Sequence, residues 1–239
     1  MSYIVCGWYT PDYAHRAHDL TASLDTFGSP HDFVEAERVE GGWAKNVSVK
    51  PLHILAAMER HPGKTVVFSD VDCVARRSMQ PFADLKCDIA VHMRGKMLRS
   101  GWPRWMTRTT VVVIAPTDRA RECIATWAKL AVASRDNDQR TFPVAIAGTS
   151  GISLVNLPLS YCAMASEHPD PILLHDHASK DVRKVPKWAR VALSYMRRQK
   201  TEDPIASYSG PYEPDRARRA LIKGLARKHA QDMDDAKVG

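Results

Sequence analysis

The chain has 239 residues, of which 44% are hydrophobic and 26% are charged, so it is long enough to bury a core in one or two compact domains. It contains no run of about eighteen apolar residues, and its first residues predict a strand rather than a signal peptide, which argues against a membrane-spanning or secreted protein. Its 5 cysteines are widely spaced and include no C-x-x-C pair, which argues against a disulfide framework or a zinc cluster and favours a reducing cytosol.

The net charge of +7 is unevenly distributed along the chain. Residues 1–179 hold 19 basic and 19 acidic side chains, whereas residues 180–229 hold 14 and 5. The basic excess therefore lies in the C-terminal fifth, a pattern typical of a neutral body with a segment that meets a polyanion. The alternative, that these charges only keep the protein soluble, stays open.

Apolar runs and helical periodicities alternate along the first 160 residues. Strands are predicted at residues 3–9, 32–39, 65–68, 88–92, 109–114 and 152–157, and a last apolar stretch spans residues 169–174. Helices are predicted at residues 11–27, 49–60 and 117–134. This alternation predicts an α/β fold.

The C-terminal part of the chain has a different character from the body. Pro186 begins a predicted helix that carries Trp188 and Tyr195 on one side and basic residues around the rest. A second basic helix is predicted over about residues 214–229. These features predict a boundary after residue 185 and a basic helical extension over residues 186–239.

Two carboxylates, Asp70 and Asp72, follow the apolar strand at residues 65–68 almost directly. In open α/β sheets, ligands bind outside the carboxyl ends of the strands, where these two side chains fall. Two acidic groups this close repel each other unless a cation lies between them, so the pair predicts a site for a divalent metal ion. An Asp-x-Asp sequence can also be an ordinary solvated turn. Here the apolar strand directly before Asp70 and Asp72 favours the metal site.

Several segments together resemble the nucleotide-sugar glycosyltransferases of the GT-A fold, in particular bacterial and phage relatives of the retaining branch. The resemblance spans residues 3–185. It depends on the order and spacing of five segments: Tyr9-Thr10-Pro11-Asp12-Tyr13, Trp43 to Lys50-Pro51, Val67 to Cys73, Asn137-Asp138-Gln139 at a helix start, and His175 to Ala178-Ser179-Lys180. It implies one GT-A, Rossmann-like catalytic domain over residues 1–185, with a mixed, mostly parallel central sheet flanked by helices.

The resemblance also implies a role for each matching residue. Asp70, Asp72 and His175 would hold Mn²⁺ or Mg²⁺ against the diphosphate of a UDP-sugar, with His177 as the alternate third protein ligand. The residues implied in donor binding are Tyr9, Thr10, Lys50, Asp70, Ser179 and Lys180. Asp138 and Gln139 would lie at the sugar and the reacting carbon, where either a front-face displacement or a double displacement through a protein nucleophile is open.

Residues 94–108 form a basic segment with aromatic residues, which predicts an acceptor-binding loop. Five basic residues mix with two tryptophans in it, and no acidic residue occurs. Such loops suit phosphate backbones and stacked bases, although carbohydrate stacking and simple packing also account for the tryptophans. The candidate acceptor-binding residues are Arg94, Lys96, Arg99, Trp102, Arg104 and Trp105.

Two acceptors of different character stay open at this point. The basic loop and the basic C-terminal segment favour duplex DNA, with transfer to a hydroxymethylpyrimidine base of the kind glycosylated by phage relatives. A membrane-associated glycan or lipid precursor is the alternative, because the helix at residues 186–198 could contact an anionic bilayer. A bacterial or phage-infected host cytosol is the expected location, and no protein partner is evident.

Two further classes of function are weaker alternatives. Asp70, Asp72 and Val74 match the D-x-D-x-[TV] strand end of haloacid-dehalogenase phosphatases. That family carries the motif on its opening strand and needs a later acidic pair after another apolar strand, whereas Asp234-Asp235 lie in a polar tail. A non-enzymatic DNA-binding module accounts for the basic segments but leaves the acidic pair without a role.

Overall fold

The computed structural model describes residues 2–39, 43–97, 103–134 and 138–175. The first half contains β1 (Tyr3–Tyr9), α1 (Ala14–Thr26), β2 (His31–Glu35), α2 (Trp43–Ser48), α3 (Lys50–Arg60), β3 (Thr65–Ser69) and β4 (Cys73–Ala75). The second half contains α4 (Gln80–Ala83), β5 (Ile89–Met97), β6 (Pro103–Ile114), α5 (Asp118–Ala133), α6 (Asp138–Gly148), β7 (Leu154–Asn156), β8 (Cys162–Ala163) and β9 (Leu173–His175). No helix within these ranges is long and apolar enough to cross a bilayer.

The main sheet has six strands in the order β2-β1-β3-β6-β5-β7. β1 runs parallel to β2 and β3, and β5 runs parallel to β7, whereas β6 is antiparallel to both of its neighbours. The predicted α/β fold, with a mixed and mostly parallel sheet flanked by helices, is therefore confirmed. Because β1 and β3 run in the same direction, their carboxyl ends at Tyr9 and Ser69 lie at one edge of the sheet.

Each face of the sheet buries an apolar cluster, as the period of two along the strands requires. Val66 belongs to the cluster under α3, α5 and α6, where Trp127 and Phe142 stack at a centroid distance of 4.0 Å. The adjacent Val67 belongs to the other cluster, which includes Leu20 of α1 and Phe82 of α4. This double coverage explains why β3 is a continuous apolar run.

Gly7 allows β1 to fit closely between β2 and β3. A Cβ atom at this position would lie 2.6 Å from the Ser69 carbonyl oxygen and 2.4 Å from the Phe33 ring. A side chain therefore cannot be added without moving the strand that leads to the acidic pair.

A second sheet of three strands, in the order β4-β9-β8, begins directly after the acidic pair. β4 pairs antiparallel with β9, so that Cys73 lies opposite His175. This pairing returns a distant part of the chain to the residues that follow β3.

Several predicted elements differ from the structure in extent. The strand predicted at residues 32–39 ends at Glu35, and α2 occupies residues that carried no predicted element. The largest correction concerns residues 94–108, which were expected to form a loop. Within this segment, residues 94–97 and 103–108 instead belong to β5 and β6, whose antiparallel pair forms the β5–β6 hairpin, since Gly95 pairs with Trp105 and Lys96 pairs with Arg104. Backbone pairing continues beyond the buried part of the sheet, where side chains no longer need to alternate between apolar and polar.

Some predictions concern residues outside the described ranges. These are the acceptor-binding candidates Arg99 and Trp102, the candidates His177, Ser179 and Lys180, the boundary after residue 185, and the two basic helices of the C-terminal extension.

Candidate functional site

The acidic pair lies in the short turn between β3 and β4. The backbone N–H of Asp70 donates to the carbonyl oxygen of Thr110 in β6 at 2.8 Å, which fixes the start of the turn against the sheet. Val71 is 7% exposed and anchors the turn in the interior. The side chains of Asp70 and Asp72 remain 32% and 18% exposed. Both carboxylates are thus held by the fold and reachable from solvent.

The pairing of β4 with β9 brings His175 to this turn. His175 is the last residue of β9, and its Nε2 atom lies 3.4 Å from Oδ2 of Asp72. The histidine is 9% exposed, so it lies at the rim of the interior. The structure therefore brings two of the three predicted metal ligands into direct proximity.

Asp70 has a different partner from Asp72. Its Oδ1 atom lies 2.8 Å from Nζ of Lys50, the first residue of α3. The same ammonium lies 3.1 Å from Oδ2 of Asp138, the first residue of α6. Lys50 and Asp138 are 4% and 2% exposed, so a buried lysine joins a partly exposed and a buried carboxylate.

Thr109 of β6 completes this network. Its carbonyl oxygen accepts a hydrogen bond from Lys50 at 3.1 Å, and its hydroxyl donates to Asp138. The ammonium and the carboxylate therefore both have polar partners on β6, as buried charges require.

The electrostatics of the network leave surplus negative charge. Burial raises the pKa of Asp70; Lys50 opposes this effect, but Asp72 and Asp138 add to it, and the result is a pKa of about 6. Burial lowers the pKa of Lys50, but the carboxylates of Asp70 and Asp138 outweigh it and move the pKa upward. Lys50 therefore stays charged between the carboxylates of Asp70 and Asp138. Asp72 adds a third carboxylate whose charge acts on Asp70, and this excess of acidic groups over one ammonium attracts a further cation.

Carboxylate oxygens and an imidazole at a partly exposed position form a donor set that fits a divalent cation. Asp72 and His175 supply the closest pair of such donors at this turn. Asp70 directs one oxygen to Lys50, and its ligand atoms do not form a compact trio with those of Asp72 and His175. Within the described ranges, the trio of His, Cys, Asp or Glu ligand atoms within 4.8 Å of one another is Cys6, Asp32 and His61.

The carboxyl end of β1 faces the same region. Tyr9 ends the strand, and Thr10 is buried, with its hydroxyl donating to Oδ1 of Asp12 at 2.5 Å. Arg38 donates to the other oxygen of Asp12 at 2.6 Å. Burial raises the pKa of the Tyr13 hydroxyl, and the carboxylates of Asp72 and Asp12 raise it further.

Gln139 and the hairpin lie on the β6 side of the site. The hydroxyl of Thr107 donates to the carbonyl oxygen of Gln139 at 3.3 Å. Arg108 forms two hydrogen bonds with Glu167, at 2.6 and 2.7 Å. Trp105 is 61% exposed, more than any other aromatic side chain that the structure describes.

Sequence reasoning missed Thr109 and the pair of Arg108 with Glu167. A signal for Thr109 is present, because Thr107 and Thr109 stand two residues apart directly before the apolar end of β6, and both are buried. Hydroxyls on one face of a buried strand indicate a buried polar partner. The pair of Arg108 with Glu167 has no comparable signal, since the partners lie on separate segments.

Comparisons with known proteins define the class of fold. No family model matches the chain, and no curated protein matches it. A glycosyltransferase involved in the glycosylation of the major capsid of PBCV-1 superposes with a TM-score of 0.58, over 74% of this chain and 94% of that chain, at 13% identity. The bifunctional glycosyltransferase WbbM superposes with a TM-score of 0.51, over 74% of this chain and 46% of that chain, at 12% identity. The chain therefore has a GT-A-like glycosyltransferase fold.

Proposed function

We propose that the chain is a glycosyltransferase that moves a sugar from a nucleotide-diphosphate sugar to an acceptor hydroxyl. The observation that carries this proposal is the meeting of Asp72 with His175 beside the network of Asp70, Lys50 and Asp138, at the carboxyl edge of a glycosyltransferase-like sheet. Open α/β sheets bind their ligands at this edge. The fold of the neighbours supports sugar transfer as the class of reaction.

The acidic turn is the proposed metal centre. Asp72 and His175, together with Asp70, would hold Mn²⁺ or Mg²⁺. When bound, such an ion neutralises the negative charge that grows on the leaving nucleoside diphosphate. Tyr9 and Thr10 lie at the end of the neighbouring parallel strand and would contact the base and ribose, for which UDP is the expected nucleotide. Ser179 and Lys180 complete the proposed phosphate contacts.

The structure supports a changed role for Lys50. The ammonium is 5% exposed and contacts Asp70, Asp138 and Thr109. A lysine with these partners holds carboxylates in place and is not open to a phosphate. We therefore assign Lys50 as a positioning residue that acts through Asp70 and Asp138.

The environment of Asp138 supports a front-face displacement. One oxygen of Asp138 accepts from both Lys50 and Thr109, and the residue is 2% exposed. A carboxylate held in this way is a weaker nucleophile than a free one. In the proposed step, the acceptor oxygen bonds to the anomeric carbon, the bond to the diphosphate breaks, and the acceptor proton passes to the leaving phosphate. Gln139, which is partly exposed, would orient the sugar, whereas the buried Asp138 would act through Lys50 and Thr109. The product would retain the donor's anomeric configuration.

Duplex DNA that carries hydroxymethylpyrimidine bases is the proposed acceptor. The hairpin of β5 and β6 presents Trp105 at 61% exposure, with exposed Arg94 on the neighbouring strand. Exposed aromatic rings stack on unpaired bases, and arginines bind phosphates. A base extruded from the duplex would present its hydroxymethyl group to the acidic turn.

The test is a transfer assay with the full chain, a panel of sugar nucleotides, and DNA with or without hydroxymethylcytosine. We expect sugar to be attached to the modified DNA, only with added Mn²⁺ or Mg²⁺, and no transfer by Asp72→Asn. Asp84→Asn, which alters an exposed carboxylate that accepts a hydrogen bond from Gln80 in α4, serves as the matched control. Metal-dependent release of sugar without attachment to DNA would refute the acceptor and leave the donor chemistry standing. Failure to bind or cleave any sugar nucleotide would refute the proposed function.

A further inference from the structure

Cys6, Asp32 and His61 form a second cluster of metal-ligating side chains, which shares no residue with the acidic turn. Cys6 in β1 and Asp32 in β2 are register partners across the parallel pair. His61 follows the last residue of α3 and precedes β3. One ligand atom from each residue lies within 4.8 Å of the other two. Three separate segments thus converge on one point beside the edge of the sheet.

We propose that this cluster binds a zinc-class divalent cation. On such an ion, bonds to sulfur, nitrogen and oxygen measure about 2.0–2.3 Å, so ligand atoms lie roughly 3–4 Å apart. The ligand atoms of Cys6, Asp32 and His61 lie within 4.8 Å of one another, so an ion that binds all three would draw them closer together. A mixed set of thiolate, imidazole and carboxylate selects Zn²⁺ over Mg²⁺ or Mn²⁺ because it includes soft and borderline donors.

The proposed site is closed on the side of Cys6 and open to solvent on the side of Asp32 and His61. Cys6 is 1% exposed and belongs to the apolar cluster under α3. The side chains of Asp32 and His61 are 28% and 20% exposed. An ion would therefore reach the cluster from the side of Asp32 and His61, and solvent would fill the remaining coordination position.

Arg60 is the competitor for this site. Its guanidinium lies 2.8 Å from Oδ2 of Asp32, the same oxygen that lies 2.7 Å from Nε2 of His61. The Arg60 side chain is 40% exposed, so it can leave Asp32 for solvent at little cost. The proposed ion takes over the place of the guanidinium, and the Cys6 thiol loses its proton to solvent as sulfur binds.

The structural alternative is a simple ion-pair network of Arg60, Asp32 and His61 above a buried apolar cysteine. The metal site and the ion-pair network differ in the role of the Cys6 sulfur, because only metal binding makes this sulfur a ligand. Cys87 is a natural control: it is a half-buried cysteine beside the carboxylate of Asp88, as Cys6 is beside that of Asp32. No imidazole is found with Cys87 in a ligand cluster within the described ranges.

The test is titration of the full chain with Co²⁺, which serves as a visible probe for zinc sites. A thiolate bound to Co²⁺ gives a charge-transfer band in the near ultraviolet that carboxylates and imidazoles cannot give. We expect the band in the unaltered protein, in Cys87→Ser and in Asp72→Asn, and its displacement by Zn²⁺. Cys6→Ser should abolish it. Because Asp72→Asn alters only the proposed donor site, a band that persists in this variant comes from a different site. The proposed function and the proposed zinc site can therefore be refuted independently of each other.

His61→Ala keeps the buried cysteine and decides the matter should Cys6→Ser fail to fold. We expect His61→Ala to lower the affinity for Co²⁺, measured from the intensity of this band, by about tenfold or more. Absence of the band in the unaltered protein would overturn the proposal. A band that is unchanged by His61→Ala and Cys6→Ser, or lost in Cys87→Ser, would overturn it as well.

Discussion

Two aspartates at the sheet, Asp88 and Asp70, have opposite environments. Asp88 is 7% exposed and accepts hydrogen bonds from the Thr117 hydroxyl at 2.7 Å and the Ser153 N–H at 2.8 Å. The bond from Thr117 lowers the pKa of Asp88, the bond from Ser153 lowers it further, and together they outweigh the opposing effect of burial. Asp70 faces Asp72 and Asp138 as well as Lys50, and its pKa rises to about 6.

The comparison indicates that Asp88 stabilises the fold, whereas Asp70 belongs to the candidate ligand site. Asp88 joins β5 to the start of α5 and to the segment before β7, and neutral donors satisfy it. Asp70 retains surplus negative charge at the edge where ligands of such sheets bind. We therefore expect changes at Asp88 to affect stability, and changes at the acidic turn to affect transfer.

The largest expected effect comes from Lys50→Met. This change leaves Asp70 and Asp138 without their shared ammonium, and breaking such a buried pair costs about 3–5 kcal/mol. Urea unfolding should show the loss, whereas Lys45→Met, at an exposed position in α2, should change the free energy of unfolding by less than about 0.5 kcal/mol.

A double variant makes this prediction more specific. Adding Asp138→Asn to Lys50→Met removes one of the unpaired charges, so part of the lost stability should return. Two results would contradict an electrostatic role for this network. One is that the two changes in the free energy of unfolding simply add, and the other is that Lys50→Met is no more destabilising than Lys45→Met.

The next effect is expected at the proposed metal centre. Asp72→Asn keeps the size of the side chain but removes the charge that a cation needs, so transfer should fall by about 100-fold or more. The free energy of unfolding should change by less than about 1 kcal/mol, because the side chain is partly exposed. Steady-state kinetics and urea unfolding measure the two quantities. Equal activity of Asp72→Asn and the control Asp84→Asn would contradict the assignment.

Asp88→Ala should show the reverse pattern. It leaves the Ser153 N–H and the Thr117 hydroxyl without their acceptor, which costs about 1–3 kcal/mol of stability. The acidic turn stays intact, so kcat/KM for the proposed transfer should remain within about twofold of that of the unaltered protein when measured well below the melting temperature. A loss of activity comparable to that of Asp72→Asn would erase the distinction between the two aspartates.

These variants also show what could be predicted from the sequence. The strand that leads to Asp70 and Asp72 was predictable because the apolar residues Val66, Val67 and Phe68 mark β3. The proximity of His175 rested on the resemblance, since no local pattern links β9 to β4. The partnership of Lys50 with Asp138 depends on how the starts of α3 and α6 pack against β6, which is tertiary information. The hairpin was missed because its outer residues are basic and mask the strand pattern.

The smallest effect concerns pH. Arg108 lowers the pKa of Glu167 from 4.5 to about 2. A carboxyl with a depressed folded pKa adds stability above the unfolded pKa, and this stability is lost as the pH falls from about 4.5 towards 2. We expect a loss of about 1–2 kcal/mol, less than the full shift implies, because the Glu167 side chain is 23% exposed to screening water.

Glu167→Gln isolates this contribution. The variant should be less stable than the unaltered protein at neutral pH and should lose less stability on acidification. Urea unfolding between pH 5 and 3 provides the comparison. Parallel pH profiles for the two proteins would show that the pair with Arg108 contributes nothing to the acid sensitivity.

The central claim is that the acidic turn and His175 bind a nucleoside diphosphate through a divalent cation. Isothermal titration of UDP into the full chain, with Mn²⁺ or with a chelator, tests it most directly. We expect UDP to bind only with Mn²⁺, with the binding lost in Asp72→Asn and kept in Asp84→Asn. UDP binding that is indifferent to the metal, or unchanged by Asp72→Asn, would contradict the claim.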